Sequence, residues 1–252
     1  MSELLGITGA IGSGKSTFAT LLGQIVQNHA HYETGGPIIE IANRFNQLLE
    51  AELNFETADD NIELVNQALI WMPDVIAEHL HCNVTWAQLA IIKKDMRAHP
   101  ELYEKLLAYL QWVRAQPTVL EKTITAQNKA DYRDILQWFG GYFKAKIGPN
   151  VWCDEVFRRI ELHESFRDLV LVSGVRFLSD ALYVRERGGR IVQLRRADTS
   201  ADSADVTEAE REQITPDITV INNGTLAQLQ LLSETIWNDI AAGKVQKIYR
   251  AA

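Results

Sequence analysis

Near its start the chain carries Gly9-Ala10-Ile11-Gly12-Ser13-Gly14-Lys15-Ser16, which follows the spacing G-x-x-x-x-G-K-[ST] in full. Glycines at these places let backbone N–H groups converge on anionic oxygens, and a helix beginning there adds partial positive charge. A lysine and a hydroxyl at the end of the run complete a cradle for a polyphosphate. In that chemistry Gly9, Ile11, Gly12, Ser13, Gly14, Lys15, Ser16 and Thr17 surround the phosphates. Lys15 reaches the terminal ones, and Ser16 is the metal ligand for the Mg²⁺ that accompanies a nucleoside triphosphate. The expected ligands are therefore ATP and Mg²⁺.

Such a loop needs a strand before it and a helix after it, and the sequence supplies both. Leu4, Leu5, Gly6, Ile7 and Thr8 form a short apolar run suited to a buried parallel strand, whereas Phe18, Leu21, Leu22, Ile25 and Val26 recur at helical spacing. No glycine occurs between Gly36 and Gly140, and the segment is rich in Leu, Ala, Gln, Glu and Lys, which favours helices. Pro73, Pro100 and Pro117 punctuate it, each expected to end or kink a helix, with candidates at 62–72, 86–98 and 102–114. Strand signals return at 169–173 (LVLVS), 191–194 (IVQL) and 218–222 (ITVIN). A last helix opens with Thr225 and Gln228 placed as a capping box. Strands alternating with helices predict a parallel sheet covered on both faces.

Composition narrows the class. With 33 acidic against 25 basic residues the net charge is −8, which speaks against a general nucleic-acid coat. The two cysteines, Cys82 and Cys153, make no disulfide framework, no apolar run reaches the length of a membrane span, and the N-terminal residues lack a signal-peptide layout. These features predict a cytoplasmic protein with no membrane partner. The cluster His79, His81 and Cys82 has too few converging ligands for a zinc site.

Several stretches together resemble a known family. The loop GITGAIGSGKST is similar to that of dephospho-coenzyme A kinases and nucleoside monophosphate kinases, and PDITVINNGTLAQL (216–229) is similar to the close of both. Between them RDILQWFGGYFKAKIGPNVW (133–152), VSGVRFLSDALYVRERGGRIVQLRR (172–196) and DVTEAE (205–210) occur in that order. Taken together they resemble the deoxynucleoside monophosphate kinases of bacteriophage type, within the P-loop kinase superfamily. The resemblance implies an α/β fold, a three-layer αβα sandwich with a parallel sheet and a large helical insertion. It divides the chain into a core of residues 1–36 and 133–252, with a lid near 197–210, and an acceptor-binding insertion of residues 37–132.

It also implies roles. Arg133 and Gln137 face the acceptor nucleotide, and Arg44 is the nearest basic residue to the start of the insertion, where Ile39 stands in place of the family's basic residue; Trp152, from its own chemistry, has a flat ring that suits stacking on the acceptor's base, with core packing the commoner fate of such a ring. Arg133, Arg176 and Arg196 join Lys15 in catalysis by neutralising charge, while Thr207 and Glu208 belong to the lid over the donor. The chain departs from the family pattern at Gly174, where an aspartate is usual, and at Asp205, where a histidine is usual. Asp180, with Glu40 second, is the candidate to supply the missing carboxylate. The implied reaction transfers the γ-phosphoryl of ATP to a (deoxy)nucleoside 5′-monophosphate, with no nucleic-acid partner and a homodimer left open. Dephospho-coenzyme A kinase and a nucleotide-binding regulatory protein are the alternatives.

Overall fold

The computed structural model describes residues 3–52, 75–76, 78–80, 87, 90, 94, 100–116, 122–125, 127–197 and 210–251. The chain divides into two compact units, one of Met1–Thr34 with Val156–Ala252 and the other of Gly35–Glu155.

The first unit is an α/β layer structure around a six-stranded sheet. Its strands are β1 (Glu3–Gly9), β2 (His29–Glu33), β3 (Leu169–Ser173), β4 (Arg190–Arg195), β5 (Ile218–Ile221) and β6 (Ile248–Arg250). They lie in the order β2-β3-β1-β4-β5-β6, every neighbouring pair parallel. Among the described helices, α1 (Lys15–Ile25) follows β1, α6 (Leu178–Glu186) follows β3, and α7 (Leu226–Ala241) follows β5.

Alternation along β1 decides which helix lies on which face. Leu5 and Ile7 join Phe18, Leu21 and Leu22 of α1 and Leu229, Ile236 and Ile240 of α7 in one buried cluster. Gly6 faces the other way, where a Cβ would stand 2.8 Å from Ile191 and 2.9 Å from Val184 of α6. The connection leaving β1 therefore crosses one face and the connection leaving β3 crosses the opposite one. Adjacent parallel strands whose connections part in this way open a crevice at their carboxyl ends, the usual place for a ligand in such sheets.

Two strands, β2 and β6, escape the sequence pattern. Both are edges, and their sequences HAHYE and IYR lack a continuous apolar run because an edge strand is only half covered. Tyr32 ties β2 down by donating its hydroxyl to Glu164 at 2.8 Å, and Arg167 bonds the same carboxylate at 2.6 Å. Burial and the Glu164 carboxylate push the Tyr32 phenol up to about 12, while the Arg167 hydrogen bond holds Glu164 below its ordinary range.

The second unit contains α2 (Gly36–Glu52), α3 (Pro100–Ala115), α4 (Arg133–Lys146) and the first turns of α5 (Val151–His163). Leu106, Tyr109, Leu110 and Val113 form the inward stripe of α3, meeting Ile41, Ala42 and Phe45 of α2 and Ile135, Leu136, Phe139 and Phe143 of α4. Tyr109 donates its hydroxyl to Asn46 within this core, and burial pushes its phenol above the ordinary range. The segment from Arg133 to Glu155, expected in the sheet unit, thus packs with the helical one, because the apolar stripe of α4 has its partners there. Pro100 opens α3, and at the first helical position its missing N–H costs nothing. The candidate helix at 62–72, together with Pro73 and Pro117, lies outside the described residues, as does most of 86–98.

The fit at Gly6 is testable. Gly6→Val overpacks the interface between the sheet and α6 and is expected to cost about 1–3 kcal/mol, read as a lower urea midpoint for the sheet unit. An unchanged midpoint would mean that α6 yields without resistance.

Candidate functional site

The glycine-rich loop joins the carboxyl end of β1 to α1, beside the crevice between β1 and β3. Its shape depends on backbone that only glycine adopts easily: φ is +145° at Gly9, +79° at Gly12 and +95° at Gly14. Space matters as much. A Cβ on Gly9 would strike the backbone carbonyl of Leu194 in β4, and one on Gly14 would come within 2.5 Å of the Asn222 amide nitrogen. No side chain caps α1 at Gly14, which leaves its first N–H groups without the usual side-chain acceptor. Ser16 and Thr17 are exposed on that first turn.

Lys15 lies back over the loop. Its Nζ donates to the carbonyls of Gly9 at 2.8 Å and Ala10 at 2.7 Å. Beneath it Ser13 is buried, and its Oγ, like the Thr8 Oγ1, finds no hydrogen-bond partner among the described residues. Ile11, by contrast, is 48% exposed at the loop's crest. Asn222, just past β5, holds the loop from the far side: its Nδ2 donates to the Ser13 carbonyl at 3.0 Å, and its own N–H bonds the Arg195 carbonyl at 2.7 Å. Asn223 accepts from the N–H of Ala197 at 2.9 Å, fixing the root of the segment that leaves β4. Neither asparagine stood out in the sequence by spacing; each bonds a residue far along the chain, and such partners leave no local pattern.

At the end of β3, Gly174 has φ of +81°, and a Cβ there would meet the Thr34 Oγ1 at 2.9 Å. Thr34 itself donates that hydroxyl to the Gly174 carbonyl at 2.7 Å and its N–H to the Ser173 carbonyl at 3.0 Å. Ser173 is buried, and its hydroxyl bonds His31 Nε2 at 2.9 Å. Arg176 follows on the turn into α6, its guanidinium without an ion-pair partner among the described residues. Arg196 comes immediately after β4 and is exposed.

Asp180 is placed otherwise than expected. It is buried, and its Oδ2 accepts the N–H groups of Arg176 and Phe177, both at 3.1 Å, as the carboxylate that closes the first turn of α6. That oxygen is engaged by the fold, so a capping role accounts for the carboxylate at this position. Glu40, the second candidate, is exposed on α2 in the helical unit. Among the described residues no group of three His, Cys, Asp or Glu could hold a metal ion. For the cation that a triphosphate brings, the fitting protein donor is the exposed Ser16 hydroxyl.

The helical unit holds the other candidates. Arg133 and Gln137 stand one turn apart on the exposed side of α4, opposite its apolar stripe. Arg44 pairs with Glu78 at 3.2 Å with both side chains exposed, a surface ion pair of small energetic weight. Trp152 is only 6% exposed, edge-on to Phe143, with its indole N–H donated to the Gly140 carbonyl at 3.0 Å. It is a core residue, and its ring is not open for stacking on a base. The tetrapeptide Asn128-Lys129-Ala130-Asp131 has the N-K-x-D form by which GTPases read guanine. Here it lies in turns, where Asn128 Oδ1 accepts the Thr125 N–H at 2.7 Å and its Nδ2 donates to the Thr123 carbonyl at 2.9 Å, so that amide is spent locally. Thr207 and Glu208, and the lid except for its end residues, lie outside the described residues.

Among the described residues no helix is long and apolar enough to cross a membrane. No protein-family model matches the chain, and no curated protein matches it.

Asn222 offers a test of the loop's support. Asn222→Ala leaves the buried Ser13 carbonyl without its donor, an expected loss of about 1–3 kcal/mol. Asn222→Asp sets an anion against that carbonyl and is expected to cost more. Thermal melting of both variants checks the order; equal and negligible shifts would show that the loop keeps its shape unaided.

Proposed function

We propose that the chain is an ATP-dependent phosphotransferase that converts a (deoxy)nucleoside 5′-monophosphate to the diphosphate. One observation carries the reading: a glycine loop of positive φ, ending on an uncapped helix N-terminus with Lys15 above it, sits at the carboxyl edge where the sheet's connections part. The same cradle serves other phosphate chemistry, and the choice of acceptor rests on the sequence resemblance alone.

Under this reading the N–H groups at the start of α1 and the glycine loop hold the donor phosphates. Lys15 gives up the carbonyls of Gly9 and Ala10, which are weaker partners than phosphate oxygens, and takes the β and γ phosphates. Bound Mg²⁺ would neutralise charge on those phosphates, with Ser16 as its protein ligand. Arg176 and Arg196, at the carboxyl edge, face the charge gathered when two nucleotides meet. Arg133 and Gln137 form the polar face assigned to the acceptor. Transfer between phosphates asks for little covalent chemistry from the protein, so placement and charge neutralisation account for the rate. The reading takes the segment from Ala197 to Glu210 as a lid, whose closing would keep water from accepting the phosphoryl group.

Lys15→Ala is expected to abolish transfer and weaken ATP binding while leaving the fold intact, checked by ADP release with a panel of monophosphates and by thermal melting. Wild-type turnover in that variant would sink the assignment. Arg133→Ala is expected to raise KM for the monophosphate about 10- to 150-fold with little change for ATP. Equal effects on both substrates would make Arg133 a structural residue.

A further inference from the structure

Two adjacent arginines close β4, and their surroundings separate them. Residues along β4 alternate between faces: Val192 and Leu194 lie in the cluster shared with α1 and α7, whereas Ile191 is beside Gly6 on the face of α6. Gln193 and Arg195 share that second face. Gln193 is only 3% exposed, and its Oε1 accepts from the Arg195 Nε at 2.8 Å. Its register partner across β1 is Thr8, whose buried hydroxyl has no partner among the described residues.

Arg195 is exposed, yet among the described residues it makes no ion pair; its side-chain partner there is this neutral amide. A surface arginine that serves stability alone usually meets a carboxylate. Here the amide fixes the guanidinium through Nε and neutralises none of its charge, so that among the described residues the two terminal nitrogens meet no carboxylate.

Position supplies the rest. Leu194, the residue before Arg195, is the register partner of Gly9, and its carbonyl closes the space beside that glycine. The Arg195 carbonyl accepts the Asn222 N–H, and the same asparagine holds Ser13 in the loop. The backbone of Arg195 is thus tied to the glycine loop through one buried residue, Asn222.

We propose that Arg195, aimed by Gln193, is an anion-binding residue for the phosphate that lies beyond the donor's γ position, on the acceptor side of the glycine loop. The inference rests on the proposed phosphotransferase reading. In it Arg195 touches the reacting phosphates, and Gln193 is a positioning residue that acts through it.

Adenosine 5′-tetraphosphate tests this without knowledge of the accepted base, because it extends one phosphate past ATP. Its affinity and that of ATP are to be measured by calorimetry for the full chain and for Arg195→Ala and Gln193→Leu. Arg195→Ala is expected to weaken the tetraphosphate about tenfold or more while ATP changes less than threefold. Gln193→Leu is expected to shift the same ratio in the same direction by a smaller factor, a split that a merely structural role would not produce. Tetraphosphate affinity within threefold of wild type in Arg195→Ala, or an equal loss for both ligands, overturns the proposal. Should wild type bind neither ligand, the phosphotransferase reading itself fails. Because Arg195 is exposed its variant is expected to fold, so the answer stands even if Gln193→Leu does not.

Discussion

The glycine loop keeps its course because nothing but hydrogen occupies two narrow gaps. At Gly9 the gap lies against the Leu194 carbonyl, and at Gly14 it lies against the Asn222 side chain. Both contacts bring a loop near the N-terminus against chain that follows far later in the sequence, at Leu194 and Asn222. They require β4 beside β1, and β5 beside β4, in one fixed register. The parallel sheet is therefore more than a platform: its register sets the distance at which Asn222 can hold Ser13. Parallel pairing in turn needs helical crossovers, and the cluster uniting α1, α7 and the strand interiors buries the apolar surface that keeps that register from slipping.

What the sequence made legible was local. The loop, its strand and its helix could be read because spacing and period are properties of a few consecutive residues. The capping box of α7 was equally plain, and the Thr225 N–H does bond Gln228 Oε1 at 2.7 Å. The interior strands β3, β4 and β5 announced themselves by apolar runs. Edge strands did not, since β2 needs only one good side and takes His29, His31 and Glu33 without loss. Asp180 shows the converse difficulty. A carboxylate soon after a strand suits a metal and suits a helix cap equally well, and only the placement of two N–H groups at 3.1 Å separates the uses. Trp152 was ambiguous for a similar reason, because a ring that can stack on a base packs against Phe143 just as well.

Gly174 has a physical explanation that no residue count could supply. The left-handed backbone there lets the chain turn from β3 toward α6, and the space beside it belongs to the Thr34 hydroxyl. Thr34 is the last residue of its unit before the chain enters the helical one, and its two hydrogen bonds fasten the end of β2 to the end of β3. A side chain at position 174 would compete with that fastening. The glycine thus belongs with Thr34 as one solution to a crowded turn, and an aspartate at that position alone would be strained.

The charges at that edge set a local electrostatic balance that bears on what the site can attract. Over its whole length the chain carries a net charge of −8, so a polyanion approaching at random meets repulsion. Fixed cations can reverse this only where they outnumber the anions within about a Debye length, roughly 8–10 Å in physiological salt. Lys15, Arg176, Arg195 and Arg196 all belong to the carboxyl edge of the sheet unit. Asp180, on the same turn as Arg176, points one carboxylate oxygen at two backbone N–H groups and keeps its negative charge, while Gly174 brings no charge to the end of β3. Under the proposed reading Lys15, Arg176, Arg195 and Arg196 give that edge a local field suited to a small, highly charged anion. Under the proposed reading the same absence that removes a metal-orienting group leaves the arginines less opposed, so that more of the charge neutralisation falls to them.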